Sequence, residues 1–245
     1  MDVVVGLDFG TTSAKALIRP RGDSQEAPIL VTAGTTWASA ANGGAELDPS
    51  VAARTAIELL GRAVRAAERA WGGVTVAAMS VTGLGESGVL LDRAGRPVRA
   101  AVAWYDPRGE AELAELAETR PEVAAAFPGV TGLPWSAQAS FAKLLWSRER
   151  EPAPAGSCWL SVPEWIVHSL GGERVREPSL ASRTGLIAQR TGQPDPELLD
   201  LVRAPADLLP PPAPAGAPVG RITHPDAPSA ALGAVLSVAG HDHPV

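Results

Sequence analysis

Two apolar, β-prone runs open the chain, residues 2 to 7 and 14 to 19, with a Gly-Thr-Thr turn between them. The pattern predicts a hairpin with an enlarged loop. "PILVTAGTT" (28 to 36) is a third strand candidate. Asp48 followed by Pro49 marks a helix start, a capping carboxylate and then proline at the first helical position. Ile57, Leu60, Val64, Ala67 and Trp71 recur at spacings of 3, 4, 3 and 4, with Glu58, Arg62, Arg65 and Arg69 on the other face. These predict an amphipathic helix of about five turns. "VTVAAMSVTG" (74 to 83) reads as a buried strand and "SGVLLD" (87 to 92) as another. "VRAAVAWYD" (98 to 106) reads as a strand or an extended approach to a site. Helices are expected over 109 to 118, from a cap at Ser136 through Leu144 and Trp146, and over 163 to 170, where Gly171 and Gly172 end the last. Six prolines between 204 and 218 mark a surface connection, and "GAVLSVAGHDHPV" starts a new strand and turn. The order is that of an α/β domain, a mixed sheet with helices packed on it, and no repeat of fixed period recurs.

Composition narrows the class of protein. At 245 residues, 45% hydrophobic and 20% charged, the chain suits one large soluble domain or two small ones. A net charge of −6 with no basic patch argues against nucleic acid as a partner. No apolar run reaches the roughly 18 residues that span a membrane, and the N-terminus lacks the basic head and apolar core of a signal peptide. Cys158 is the sole cysteine, with no disulfide partner and no metal-site spacing, and reads as a small core residue. A cytoplasmic, reducing setting is expected.

The first turn carries the candidate chemistry. In "GLDFGTTSAKA", Gly6, Gly10 and the Thr11-Thr12-Ser13 run leave backbone N–H groups to converge on an anion. The hydroxyls of Thr11, Thr12 and Ser13 can donate to phosphate oxygens, and Lys15 adds a point charge. Asp8 repels a bare phosphate but suits one that carries Mg²⁺, an ion that keeps much of its water. The Gly-Lys-Ser/Thr order of a Walker loop is absent, so the phosphate geometry must be another. A plain hairpin with a hydrophilic loop is the alternative.

This stretch resembles the first phosphate motif of the actin-like ATPase superfamily, and the rest of the chain resembles one branch of it, the FGGY carbohydrate kinases. "VTGLGESGVLLD" and "AVAWYDPRGEAEL" are similar to that family's paired substrate segments. "ERVREPSLASRTGLI" is similar to its middle segment, "LLPPPAPAGAPVGRIT" to the stretch before its second domain, and "VAGHDHPV" to the Gly-Gly-x-Asp turn that opens that domain. The five segments occur in the family's order over nearly the whole chain. The resemblance implies a ribonuclease-H-like (actin-like ATPase) domain, with a mixed five-stranded sheet and flanking helices, over 1–235. Residues 236–245 would open a second, ATP-binding domain, so the chain would be an N-terminal half, inactive alone.

The implied activity is phosphorylation of a sugar or polyol hydroxyl by ATP with Mg²⁺. Asp242 matches the family's general base. Asp8 would help hold the metal, while Gly10, Thr11, Thr12, Ser13 and Lys15 would face the ATP phosphates. Lys15 stands where relatives such as glycerol kinase carry arginine, which keeps the charge and loses the fork. Glu86 matches a substrate-binding glutamate of the glycerol kinase branch, but its arginine partner there is Gly85 here. The Met-His of the xylulokinase branch is absent too, so the substrate does not carry over. Trp104, Asp106 and Arg108 match the family's Trp-x-Asp-x-Arg segment. Trp104 either packs on a sugar face or serves the core. Asp106 is a candidate for the sugar pocket, or it pairs with Arg108 or caps the next helix. Trp146 and Trp165 read as core. His241 and His243, two apart on an extended turn, are read as turn residues and not as a metal pair. The expected partner is a small sugar or polyol, with no nucleic acid and no membrane; a homodimer is left open. The competing class is a non-catalytic actin-like module that binds nucleotide or sugar. Asp242 together with Glu86 separates the two, since a binding module needs no base beside a sugar pocket.

Overall fold

A computed structural model describes residues 1–40, 43–150 and 153–242. The opening strands β1 (Asp2–Phe9) and β2 (Ser13–Pro20) form the expected hairpin, followed by β3 (Ile29–Gly34) and the short β4 (Ala38–Ser39) and β5 (Ala45–Leu47). Helix α1 (Pro49–Trp71) comes next, then β6 (Thr75–Gly83), β7 (Gly88–Leu91) and β8 (Ala101–Val102). Helices α2 (Glu110–Thr119), α3 (Pro121–Thr131) and α4 (Ser140–Arg150) precede β9 (Cys158–Ser161) and α5 (Val162–Ser169). The chain continues through α6 (Pro178–Ser182), β10 (Ile187–Ala188), β11 (Gln193–Pro194), α7 (Pro196–Leu201) and β12 (Val235–His241).

The main sheet has five strands in the order β12-β6-β1-β2-β3. β2 runs antiparallel to β1 and β3, while β1 and β12 both run parallel to β6. Alternation decides what each face does. Val3, Val5, Leu7 and Phe9 of β1 and Ala14, Ala16 and Ile18 of β2 point into the core, against Ala52, Ala56, Leu59 and Leu60 of α1. The Asp48 carboxylate caps α1 by accepting from the Ser50 N–H at 2.8 Å, as the Asp-Pro pair predicts. α1 lies over β2 and β3, and α5 over β6 and β12. Among the described residues, the opposite face carries no such helix. One row of that face reads Ser237, Ser80, Gly6, Leu17, Leu30 across all five strands, and Leu17 and Leu30 are exposed. A second apolar cluster, built around Phe127, Phe141, Leu145 and Trp159, joins α2, α3, α4 and α7.

Three local expectations change. Residues 98–106 give only the two-residue β8, because Ala103 onward turns to meet β5 and the α2 entry. Ser136 does not cap α4, which begins at Ser140; the Phe141 N–H is taken by Thr184 O at 2.7 Å, a partner from far along the chain. Trp146 is not core: its ring lies between the guanidinium carbons of Arg108 (5.1 Å) and Arg150 (5.3 Å). β12 completes the main sheet, with Val235 to His241 pairing with β6.

Candidate functional site

Parallel strands deliver their C-terminal ends to one edge, which in open α/β sheets is where ligands bind. Here β1, β6 and β12 end together at Phe9, Gly83 and His241, with Gly83 paired to both of the others. Gly83 has φ +152°, and a Cβ there would lie 2.3 Å from Phe9 O, so this close approach requires glycine. The Asp242 N–H donates to Gly83 O at 3.1 Å, and Thr82 Oγ1 donates to Gly240 O at 2.7 Å. Strands lie ~4.8 Å apart. Two steps across β6 therefore set the Asp242 turn roughly 10 Å from the end of β1.

At the end of β1, Asp8 and Lys15 are cross-strand partners on the open face, Oδ2 to Nζ 3.4 Å. Asp8 Oδ1 is buried and has no hydrogen-bond partner among the described residues. A buried, unpartnered carboxylate oxygen fits a single contact to a hydrated cation. No cluster of three or more His, Cys, Asp or Glu suited to a metal occurs among the described residues, so such a cation would take most of its ligands from water or phosphate.

The Gly-Thr-Thr turn is held from outside. The Gly10 N–H closes the turn onto Ser13 O at 3.1 Å, so it is not available to an anion as the sequence reading had it. Thr11 O accepts from Thr35 Oγ1 (2.6 Å) and Trp37 Nε1 (2.8 Å). Thr11 Oγ1 accepts from Trp104 Nε1 at 3.0 Å, which leaves its single O–H to donate elsewhere. Trp104 thus reaches the Gly-Thr-Thr turn itself, and its ring packs edge-on to Tyr105. Thr12 is exposed; Ser13 opens β2.

Asp106 and Arg108, two and four residues further on, fix the loop that carries Trp104. Asp106 is buried, and its carboxylate accepts from the Ala45 N–H (2.8 Å), the Arg108 N–H (2.9 Å), Arg108 Nε (2.9 Å) and Arg108 Nη2 (2.7 Å). Burial alone would raise its pKa, but these donors outweigh it and hold the carboxyl at about 2. Both oxygens are spent inside the protein. Asp106 is therefore a tie, not a sugar contact. Lys143 holds the same loop from behind, donating to Asp106 O, Arg108 O (3.1 Å) and Ala137 O (2.6 Å).

Glu86 sits in the loop after β6. Its Oε1 accepts from Arg183 Nε at 2.7 Å, and its Oε2 lies 3.6 Å from His241 Nε2. Burial pushes this carboxyl up, and the contacts from His241 and Arg183 overcome that and bring it to about 2. Arg183, from the end of α6, was not singled out in the sequence; it is 97 residues from Glu86, with no local signal to link them. It occupies the space that Gly85 leaves open, for a Cβ there would lie 2.8 Å from Arg183 Cγ. Asp242 is about one-third exposed, its Oδ1 3.3 Å from His241 Nε2. His243 lies outside the described residues. A groove of about 880 Å³, which Arg54, Arg65 and His224 help to line, lies on the α1 side of the sheet, away from all of these groups. No helix among the described residues is long and apolar enough to cross a membrane.

The architecture and this edge define the class: the chain has the actin-like ATPase fold of sugar kinases. Its structure is similar to that of xylulose kinase from Rhodospirillum rubrum (TM-score 0.84, 30% identity, 98% of this chain and 49% of that one). It is similar in fold to Plasmodium falciparum glycerol kinase with ADP (TM-score 0.87, 19% identity, 99% and 49%). The profile of the FGGY family of carbohydrate kinases, N-terminal domain, matches residues 3–244, and the chain belongs to that family. Among curated relatives, glycerol kinase of Rhodospirillum centenum is 34% identical over 218 residues, 84% of this chain and 42% of that protein. Glycerol kinase of Acidovorax ebreus is 32% identical over 254 residues, 98% and 48%. The chain spans about half the length of the curated relatives it matches.

Proposed function

We propose that this chain is the sugar-binding half of a cytoplasmic kinase that moves the γ-phosphoryl group of ATP to a hydroxyl of a sugar or polyol. The observation that supports it best is the gathering of Glu86 and Asp242 at the same sheet edge as the Gly-Thr-Thr turn, Asp8 and Lys15. In this reading Glu86 accepts hydrogen bonds from the sugar, and Asp242 takes the proton of the attacking hydroxyl. Thr11, Thr12, Ser13 and Lys15 face the phosphates from one side. Asp8 holds Mg²⁺, which when bound screens the phosphate charge and orients the transferring group. Trp104 joins the two subsites, since its indole donates to Thr11. Positioning and charge neutralisation carry most of such a reaction, so the opposing jaw matters as much as this one. A second segment of comparable length would supply the adenosine pocket and the closure that excludes water.

Two assays test this. The 245 residues alone should release little or no ADP with any sugar, and robust sugar-dependent release would refute the half-site reading. In a chain joined to the proposed second half, Asp242→Asn should abolish turnover and leave the circular dichroism spectrum unchanged; a normal kcat would refute the base. A screen over ketoses, aldoses and polyols then fixes the substrate, because Gly85 removes the arginine that would have pointed to glycerol.

A further inference from the structure

His241 has a buried side chain, 6% exposed, at the end of β12. It is held by its backbone, whose N–H donates to Ser179 Oγ at 2.9 Å, and Ser179 in turn donates to Glu177. Its ring lies beside Gly85, where an added Cβ would be 3.0 Å from His241 Cδ2 and 2.8 Å from Arg183 Cγ. The imidazole and the guanidinium therefore flank Glu86, with the bare glycine between them. Nε2 is 3.3 Å from Asp242 Oδ1 and 3.6 Å from Glu86 Oε2. Among the described residues, the charged groups near His241 are Glu86 from the loop after β6, Asp242 beside it, and Arg183 and Glu177 from the two ends of α6.

We propose that His241 is a positioning residue that bridges Glu86 and Asp242 and makes the orientation of the base depend on the occupancy of the sugar carboxylate. This rests on the kinase reading above. A neutral imidazole with its proton on Nε2 has one N–H and two carboxylates in reach. When sugar hydroxyls donate to Glu86, that carboxylate needs the N–H less, and the N–H settles on Asp242 Oδ1. Oδ2 then faces the hydroxyl. The hydroxyl proton passes to Oδ2 as the sugar oxygen bonds to the γ-phosphorus, the bond from that phosphorus to the β–γ bridging oxygen breaks, and ADP leaves. His241 keeps its proton throughout.

Two measurements decide the matter. In the 245-residue chain, the His241 ring nitrogens are followed by NMR at constant pH and assigned by their loss in His241→Gln. Glu86→Gln and Asp242→Asn each replace a partner of the Nε2–H, so each should shift the Nε2 resonance. Glu58→Gln on α1 should leave it in place. If neither pocket variant moves the resonance, the bridge does not exist. In the chain joined to the proposed second half, His241→Ala should lower kcat on the order of 30-fold with KM for sugar changed less than about threefold, and should move the acid limb of the pH profile upward. His241→Gln, which keeps an N–H near the Nε2 position, should recover most of the rate. Equal losses in both variants, or an unmoved acid limb, would reduce His241 to packing. Should the joined wild-type chain phosphorylate no sugar, the kinase reading fails while the ring resonances still decide the bridge.

Discussion

Asp106→Asn is the sharpest test of how the loop carrying Trp104 is built. The wild-type carboxylate is buried and receives four hydrogen bonds, three of them from Arg108. An amide there keeps one acceptor oxygen and turns an NH₂ group toward donors. Breaking a buried ion pair from one side costs about 3–5 kcal/mol. Arg108 retains Glu46 at 2.6 Å, which argues for the lower end, ~3 kcal/mol. Linkage gives an independent figure. A carboxyl held at about 2 instead of its ordinary 3.8 contributes ~2.5 kcal/mol of stability at neutral pH. Because folding depresses this pKa, the contribution is full above about pH 5 and is lost as pH falls toward 2, with about half remaining at pH 3. Urea unfolding of wild type and variant, at pH 7 and again at pH 3, reads both quantities as midpoints at constant slope. Glu86 also titrates low, so the difference between the two proteins is the quantity to follow. A loss below about 1 kcal/mol at pH 7, or a gap that stays constant on acidification, would refute the tie.

Other outcomes follow from the same contacts. Gly85→Ala should push Arg183 off Glu86, lower the melting temperature and move the Glu86 titration upward toward its ordinary 4.5; NMR of the carboxyl carbon reads this. Lys143→Met strips the donor from three carbonyls and should cost ~2–4 kcal/mol in urea unfolding, with no loss contradicting the tie. Burial raises the Cys158 thiol to about 11, so a disulfide reagent at pH 8 should label it slowly in the folded chain and at once in urea. Asp8→Asn should raise the Mg²⁺ concentration needed for half-maximal rate in the joined enzyme while leaving thermal unfolding unchanged; an unaltered Mg²⁺ dependence would clear Asp8 of the metal role.

What the sequence made legible was local and periodic. The two β-prone runs around the Gly-Thr-Thr turn announced the hairpin of β1 and β2, and the Asp48-Pro49 pair located the start of α1 to the residue. The order of five short segments pointed to the family and hence to the five-stranded sheet. The rest depended on partners distant in the chain. Ser136 looks like a cap, yet Thr184 decides where α4 begins. Asp106 resembles a pocket residue until the Ala45 N–H, 61 positions away, is seen to occupy it. Arg183 carries no local mark of pairing with Glu86. In each case a contact, not a propensity, made the choice.

The uncovered row from Ser237 to Leu30 has a consequence for how the chain behaves in a tube. Its small end is polar, since Ser80 and Ser237 bond to each other at 2.9 Å. Its large end, Leu17 and Leu30, reaches β3, the outer strand, whose far side has no neighbour in the sheet among the described residues. Wet leucines beside an unpaired strand edge invite stacking of copies. Turbidity should therefore grow with protein concentration and with sulfate, which strengthens apolar association. Leu17→Lys or Leu30→Glu should keep the solution clear without touching the ligand edge.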